Sequence, residues 1–209
     1  MNALLIKSDH RLSAVQIAQG LEASGLGALP LRRVRWAFTE RAENGRPLAH
    51  LYLDLGDAGL PSAGDRLRFE AAWNRPLGGG CRLSRLRGLL DLNGASADVA
   101  AVAHYAVETD PEAGWAEELS RWYAEEHLPG LAQVPGCVRA RRLVNLDHPP
   151  ESFACYDLVS LAVLGSPAWL QVRQTRWSDL CRPHFTNTLR TRFERFESVV
   201  MPIAKPPEI

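Results

Sequence analysis

Polar and aromatic side chains are concentrated where a predicted helix ends in the second half of the chain. The helix is predicted over residues 111–126, and His127 follows it directly, before Pro129 and Gly130. Because the unperturbed pKa of histidine lies near neutrality, an imidazole here can give or take a proton as a general acid or base. The helix dipole would favour its charged form. A purely capping role for His127 stays open.

Three neighbours of His127 extend this group. Tyr123 and Glu126 lie within one helical turn of His127, so either side chain could orient its ring. Trp122 could stack on a flat substrate ring and keep water away. The alternative for Trp122 is a structural place in the hydrophobic core. We therefore count His127, Tyr123 and Glu126 as catalytic candidates and Trp122 as a substrate-binding candidate.

A polar segment near the C-terminus supplies a second group of candidates. Residues 175–185 are predicted as a loop that is longer than the fold needs, and such loops often carry function. Arg182 and Arg190 could bind a carboxylate or stabilise a developing oxyanion, although Arg190 could instead belong to a solvated sheet edge. His184 joins Arg182 as a catalytic candidate, and Trp177 and Asn187 join Arg190 as substrate-binding candidates.

One more histidine, His104, lies within a strand predicted over residues 98–108. It is either a core residue with satisfied hydrogen bonds or a substrate-binding residue that lines the pocket. Together with His127 and His184 it could in principle bind a metal, since imidazoles from separate elements form such sites. No ligand spacing supports a metal here, so we predict no metal and no cofactor.

The elements that must position these residues follow the same order in both halves of the chain. In the first half, hydrophobic periodicity predicts strands at 2–6, 31–39, 48–55 and 82–92 and helices at 12–21 and 65–73, with Asn44-Gly45 as a hairpin signal. In the second half it predicts strands at 98–108, 137–146, 153–161 and 186–196 and helices at 111–126 and 167–173. Each half therefore has the order β-α-β-β-α-β.

A unit of this order forms one antiparallel sheet with both helices on the same face, which leaves the other face to be covered. Two units in one chain can cover each other. We therefore predict an α+β protein in which two tandem ferredoxin-like modules, residues 1–93 and 98–200, pack as an intrachain pseudo-dimeric α/β barrel. Two four-stranded sheets would then enclose a central space.

One segment carries a resemblance to a known family. The run WYAEEHLPGL at 122–131, followed by VPGCVRARRL at 134–143, resembles the EthD-type members of the dimeric α/β-barrel superfamily. Those sequences have a similar helix that ends in Glu-His-x-Pro, then a Pro-Gly turn into a strand. The resemblance covers about residues 101–196 and implies a ferredoxin-like fold, a pocket between sheet and helices, and His127 as its polar residue. Since the first half lacks this motif, we predict a degenerate first module and one site per chain.

Composition narrows the classes of partner. Lys plus Arg and Asp plus Glu both total 24, so no net field attracts a polyanion. The four cysteines form no C-x-x-C pair, and no stretch approaches the roughly 18 apolar residues of a membrane span. We expect a cytoplasmic protein with reduced thiols, a small-molecule substrate, no nucleic-acid or membrane partner, and a homodimer as one option.

The catalytic candidates favour a cofactor-independent acid/base enzyme, an isomerase, cyclase, dehydratase or other lyase. Its substrate would be a small aromatic, polyketide-like or lactone molecule, with His127 as general acid or base. Two alternatives share the same architecture, because a fold does not fix a function. One is a monooxygenase or a haem-binding barrel protein with a histidine ligand. The other is a non-catalytic protein for small-ligand binding or assembly.

Overall fold

The computed structural model describes residues 1–42, 45 and 48–200. Asn44 of the predicted hairpin signal falls outside these residues, as does the tail from Pro202, which the sequence predicts to lie along the surface. The first half contains β1 (Asn2–Ser8), α1 (Ala14–Ser24), β2 (Arg33–Thr39), β3 (Leu48–Gly56), α2 (Ala63–Leu77) and β4 (Cys81–Asn93). A capping box of Ser13 and Gln16 begins α1, because these side chains satisfy backbone donors that the first turn leaves unpaired.

The second half repeats this order of elements with additional helical turns. It contains β5 (Ala103–Pro111), α3 (Ala116–Trp122), a π-helical turn (Tyr123–His127), α4 (Leu128–Ala132), β6 (Cys137–Asn145), β7 (Ser152–Leu158), α5 (Pro167–Val172), α6 (Arg176–Cys181), β8 (Phe185–Phe193) and β9 (Arg195–Val200). None of the helices in the described part of the chain combines the length and apolar character that crossing a membrane requires.

All nine described strands belong to one sheet, whose order is β8-β5-β7-β6-β4-β1-β3-β2-β9. The pairings are antiparallel, and β4 pairs with β6 to join the two halves. The outermost strands β8 and β9 are consecutive in the chain, with only Glu194 between them. Because one segment thus holds both edges, the sheet curls until its edges meet. The expected pair of separate four-stranded sheets is replaced by one continuous sheet.

The curled sheet has an outer face covered by helices and an inner face. On the outer face, α1 and α2 pack over the first half around Trp73, and the helices of the second half pack around Trp122 and Trp169. The inner face carries a third core that includes Tyr52 and Phe153. Alternate residues of each strand therefore serve two different cores.

The helix before His127 differs from its prediction. Pro111 ends β5, α3 begins only at Ala116, and the helical path continues beyond His127 to Ala132. The π-helical turn uses hydrogen bonds five residues apart and inserts one extra residue. This change of pattern lets the chain continue through Pro129, which has no backbone donor and stands in the first turn of α4. His127 is therefore not at a helix C-terminus, and the expected effect of the helix dipole on its charge does not apply.

Residues 175–185, predicted as a loop, contain the short helix α6. Thr175 begins this helix, since its Oγ1 accepts a hydrogen bond from the backbone nitrogen of Ser178 at 3.1 Å. A second helical turn, Arg182–His184, leads directly into β8. The extra length is thus folded against the helical layer of the second half.

Candidate functional site

A small pocket lies between the outer face of β5 and β7 and the helices of the second half. The free space has a volume of about 30 Å³, enough for about one or two water molecules. Its walls combine large aromatic side chains with arginines and one histidine: Tyr105, Val107, Trp122, Tyr123, His127, Leu131, Tyr156, Trp169, Arg173, Arg182, Phe185 and Arg190. We call this space the His127 pocket.

The π-helical turn brings three of the lining residues together. Trp122 and His127 stack with ring centroids 4.1 Å apart, and Tyr123 meets His127 edge to face at 5.5 Å. In a regular α-helix, residues five apart lie on different faces. The extra residue of the π-helical turn rotates His127 onto the face of Trp122, and all three rings are buried.

The charges around the pocket are all positive. Arg173, Arg182 and Arg190 line it, and none of its lining residues is an aspartate or a glutamate. Burial, together with the charges of Arg173, Arg182 and Arg142, lowers the pKa of His127 to about 3. The imidazole is therefore neutral at neutral pH. Its Nδ1 has no hydrogen-bond partner among the described residues.

Arg142 is a buried charge next to the pocket that the sequence candidates did not include. Its guanidinium lies 4.2 Å from the ring centroid of Tyr123, and its Nη1 donates to the carbonyl oxygen of Phe153 at 3.0 Å. Burial raises the pKa of Tyr123 to about 12, so this phenol stays neutral. The alternation of β6 could have revealed Arg142, because it shares the helix-covered face with Ala140. Arg173 is the other charged residue that the sequence candidates did not include. It follows α5, and no comparable pattern in the sequence indicates it.

The structure brings five of the sequence candidates into the His127 pocket: His127, Tyr123, Trp122, Arg182 and Arg190. Four others point elsewhere. Glu126 accepts a hydrogen bond from Thr175 at 2.6 Å, and the Trp177 ring nitrogen donates to Glu118 at 2.9 Å. Near the surface, His184 is hydrogen-bonded to Glu112 at 2.6 Å, and Asn187 donates to Asp110 at 2.9 Å.

The tenth candidate, His104, lies on the inner face of the sheet. Its Nδ1 is 2.7 Å from a carboxylate oxygen of Asp157, and its Nε2 is 3.2 Å from the hydroxyl of Tyr52. Arg35 pairs with Asp54 through two hydrogen bonds of 2.8 and 2.7 Å. His104 is thus a buried member of an ionic network and does not face the His127 pocket.

Arg141 completes this network inside the barrel. Its guanidinium lies 3.6 Å from Asp54 and 3.8 Å from Asp157. The described residues contain no group of three or more His, Cys, Asp or Glu side chains that could hold a metal ion. His104, His127 and His184 lie in three different surroundings, which argues against their sharing one ion.

Comparisons with solved structures identify the architecture. A candidate monooxygenase from Fusobacterium nucleatum matches with a TM-score of 0.61 and 6% identity, over 100% of this chain and 98% of its own. The shared architecture is an α+β fold with one large antiparallel sheet and few helices. An anthrone oxidase-like protein matches with a TM-score of 0.50 and 15% identity, over 94% of this chain and 92% of its own. A chlorite dismutase variant from Candidatus Nitrospira defluvii matches with a TM-score of 0.54 and 12% identity, over 92% and 90%.

At these identities the likeness shows the fold alone. No family model matches the sequence, and no curated protein matches it. The EthD-type resemblance of residues 122–143 therefore stays a prediction. The expectation of a cofactor-independent lyase or isomerase is wrong, because the neighbours are described as a monooxygenase, an anthrone oxidase-like protein and a chlorite dismutase. They agree better with the alternative of a monooxygenase or haem-binding barrel protein.

Proposed function

We propose that this protein is an oxygen-using enzyme of the monooxygenase type that oxidises a small aromatic molecule whose hydroxyl group enters the His127 pocket. The substrate would carry a hydroxyl group and react as its anion. One observation supports this most strongly: a pocket with mostly buried aromatic walls is lined by three arginines and no carboxylate. The names of the structural neighbours, monooxygenase and anthrone oxidase-like protein, point to the same class of reaction.

We also propose that the chain consists of two modules that form an intrachain pseudo-dimer. Residues 1–93 contain the neighbouring strands β4-β1-β3-β2, and residues 98–200 contain β8-β5-β7-β6. The corresponding strands thus occur in the same relative order in both halves. Only the second half surrounds the His127 pocket, which supports one site per chain and a degenerate first module.

A haem, the prosthetic group of the other oxidative alternative, does not fit the residues present. The His127 pocket has about 30 Å³ of free space and the pocket beside it about 160 Å³, whereas pockets for drug-sized ligands have about 300–1,000 Å³. Tyr156 and Trp169 pack edge to face in its wall with ring centroids 5.1 Å apart. Both rings are fully buried. A haem is therefore not part of the proposed reaction.

The arginines would bind the substrate as an anion. A guanidinium stays charged in proteins and donates strong hydrogen bonds to an ionised oxygen. Three such groups around one small space repel each other, and a bound phenolate or enolate would relieve that repulsion. The three arginines would thereby lower the pKa of the bound hydroxyl group. The aromatic walls would stack on the substrate ring and exclude water, which strengthens these electrostatic interactions.

His127 would take up the proton that the substrate loses. Its neutral imidazole has an unpartnered Nδ1, although a pKa of about 3 makes it a weak base while the pocket is without an anion. The negative charge of the bound substrate offsets the arginines that lower this pKa. Proton transfer and anion binding would therefore support each other.

The reaction balances with O2 as the oxidant. The substrate anion passes one electron to O2, and the two radicals combine into a peroxide at the ring carbon ortho or para to the ionised oxygen, which is a CH2 group in the keto tautomer of the substrate. Loss of water from the peroxide leaves a carbonyl group. In sum, one CH2 group and one O2 give one C=O group and one water, and His127 returns its proton to the leaving oxygen.

An oxygen electrode tests this proposal. The purified protein is incubated with anthrone or a naphthol, with and without a metal chelator, while O2 uptake and the quinone product are followed. We expect uptake of one O2 per quinone, unchanged by the chelator, and a large loss of rate in His127→Ala. A Soret absorption band in the active protein, or equal O2 uptake by wild type and His127→Ala, would count against it.

A further inference from the structure

A second pocket of about 160 Å³ adjoins the His127 pocket and shares Tyr123 and Phe185 with it. We call it the Arg142 pocket. It lies between α3 and the strands β6 and β7, and it is lined by Leu89, Pro111, Ala116, Leu119, Ser120, Tyr123, Arg142, Val144, Glu151, Ser152 and Phe185. Its walls are mostly apolar, and Arg142 is its one cation.

Arg142 is a charge that the surrounding protein satisfies only in part. The residue is 8% exposed, and its Nη1 donates to the carbonyl oxygen of Phe153. Its Nε is buried without a hydrogen-bond partner among the described residues. The face of the Tyr123 ring at 4.2 Å offers a cation–π contact. A buried charge is costly unless it is paired, so a carboxylate would be the strongest partner this pocket could receive.

Two aromatic rings separate the Arg142 pocket from the His127 pocket. Tyr123 and Phe185 are parallel to within 2°, with centroids 6.2 Å apart. Tyr123 is 3% exposed and held between Trp122 and Arg142. Phe185 is only half-buried and stands where a helical turn meets β8. A rotation of the Phe185 side chain is therefore the smallest movement that would join the two spaces.

We propose that the two pockets are the two ends of one substrate site and that Arg142 binds a carboxylate of the substrate. The substrate class is then an aromatic hydroxy acid of one or two rings. Its hydroxyl group lies among the arginines of the His127 pocket, and its carboxylate lies beside Arg142. The inference rests on the proposed function for the oxidation itself, whereas the carboxylate site can be tested by binding alone.

The test compares ligands that differ only in the carboxylate. Dissociation constants are measured by calorimetry for 6-hydroxy-2-naphthoate, for its neutral methyl ester and for 2-naphthol. We expect the acid to bind wild type at least about tenfold more tightly than the ester or the naphthol, the size of one charge-assisted hydrogen bond. Equal affinity of the acid and the ester would overturn the proposal without any variant.

Two variants test whether Arg142 is the residue that binds the carboxylate. Arg142→Gln keeps a polar side chain but removes the charge, and we expect the affinity for the acid to fall by about tenfold or more while that for 2-naphthol stays within about twofold. The matched control is Arg139→Gln, which removes the same charge from the same strand at a residue paired with Asp91. A loss of acid affinity that is equal in Arg142→Gln and Arg139→Gln would overturn the site.

Failure of this inference and failure of the proposed function give different results. Acid binding that depends on Arg142 without any O2 uptake keeps the carboxylate site and rejects the oxidation. Oxidation of 2-naphthol, with equal affinities for the acid and the naphthol, keeps the oxidation and rejects the carboxylate site.

Phe185→Leu tests whether this ring moves when the two pockets join. A smaller side chain should raise the association rate of 6-hydroxy-2-naphthoate. An unchanged rate would exclude Phe185 as the moving group.

Discussion

The barrel interior and the His127 pocket lie on opposite faces of the same sheet, and they differ in how their arginines are paired. In β5, His104 faces the interior while Tyr105 and Val107 face the pocket. The interior matches two arginines with two carboxylates: Arg35, Arg141, Asp54 and Asp157. The pocket gathers three arginines with no carboxylate among its lining residues.

This contrast separates arginines that lie close to carboxylates of the fold from arginines that have no carboxylate beside them among the residues lining the pocket. Burial alone would raise the pKa of Asp157, but Arg141, the hydrogen bond from His104 and Arg35 together lower it below the usual range. The interior carboxylates are therefore ionised and committed to their partners. None of the residues that line the pocket supplies a negative charge, so under the proposed function the bound substrate would supply it. Removing a charge should consequently cost stability in the interior and binding in the pocket.

The largest effect is expected for Asp157→Asn. The substitution keeps the shape but leaves Arg35 and Arg141 with Asp54 as their shared carboxylate, so the free energy of unfolding should fall by about 3–5 kcal/mol. Urea denaturation at pH 7 measures this. The control is Asp91→Asn, whose partner Arg139 lies nearer the surface, where an ion pair contributes about 1 kcal/mol or less. Similar losses for the two variants would contradict the role assigned to the network.

The second prediction concerns a pocket arginine. Arg182→Gln should weaken the binding of a naphtholate by about 10- to 100-fold, because a charge-assisted hydrogen bond is lost. The free energy of unfolding should change by less than about 0.5 kcal/mol or increase, since the repulsion from Arg173 and Arg190 is relieved. Calorimetry and urea denaturation measure the two quantities. Arg192→Gln is the control, because Arg192 is exposed and does not line the pocket.

A third prediction follows from the neutral state of His127. Its pKa is about 3 in the folded protein and about 6.5 in the unfolded chain. As the pH falls below about 6.5, His127 binds a proton in the unfolded state but not in the folded state. The free energy of unfolding therefore decreases by up to about 1.4 kcal/mol per pH unit. The loss should continue until the pH approaches the folded pKa.

The variant His127→Gln removes this contribution from the pH dependence of stability. His50 and His104 remain, and since burial lowers their pKa values too, part of the slope should persist. Urea denaturation at several values between about pH 4.5 and pH 7 gives the two slopes. Identical slopes for wild type and His127→Gln would show that the pKa of His127 is the same in the folded and unfolded states, which contradicts the lowered value.

The sequence predicts the elements better than it predicts their surroundings. Hydrophobic periodicity placed β6 and β7 within a few residues of their observed bounds, Cys137–Asn145 and Ser152–Leu158, because each strand alternates between two apolar cores. The same alternation put His104 in a strand but could not decide which face lies inside the barrel. That choice depends on the pairing of β5 with β8 and β7, which is a long-range property.

The helix around His127 shows a second limit of sequence reasoning. Pro129 and Gly130 are local stop signals, and the π-helical turn that overrides them is stabilised by packing of Trp122, Tyr123 and His127. Of the sequence candidates, the structure places those on this turn, Trp122, Tyr123 and His127, in one pocket with Arg182 and Arg190, and their roles stay a prediction. Sequence spacing alone could not show that Glu126 turns toward Thr175.

The smallest effect is expected for His184→Ala, a candidate that the structure places outside the pocket. His184 is hydrogen-bonded to Glu112 at 2.6 Å and stacks on Trp115, and both partners of the hydrogen bond are partly exposed. Exposed pairs contribute about 1 kcal/mol or less, so stability should change little and naphtholate affinity should stay within about twofold. Calorimetry on His184→Ala beside Arg182→Gln measures the difference. A loss of affinity in His184→Ala as large as that in Arg182→Gln would mean that the ligand approaches from the surface side of β8, and the boundary drawn here between pocket and surface would have to move.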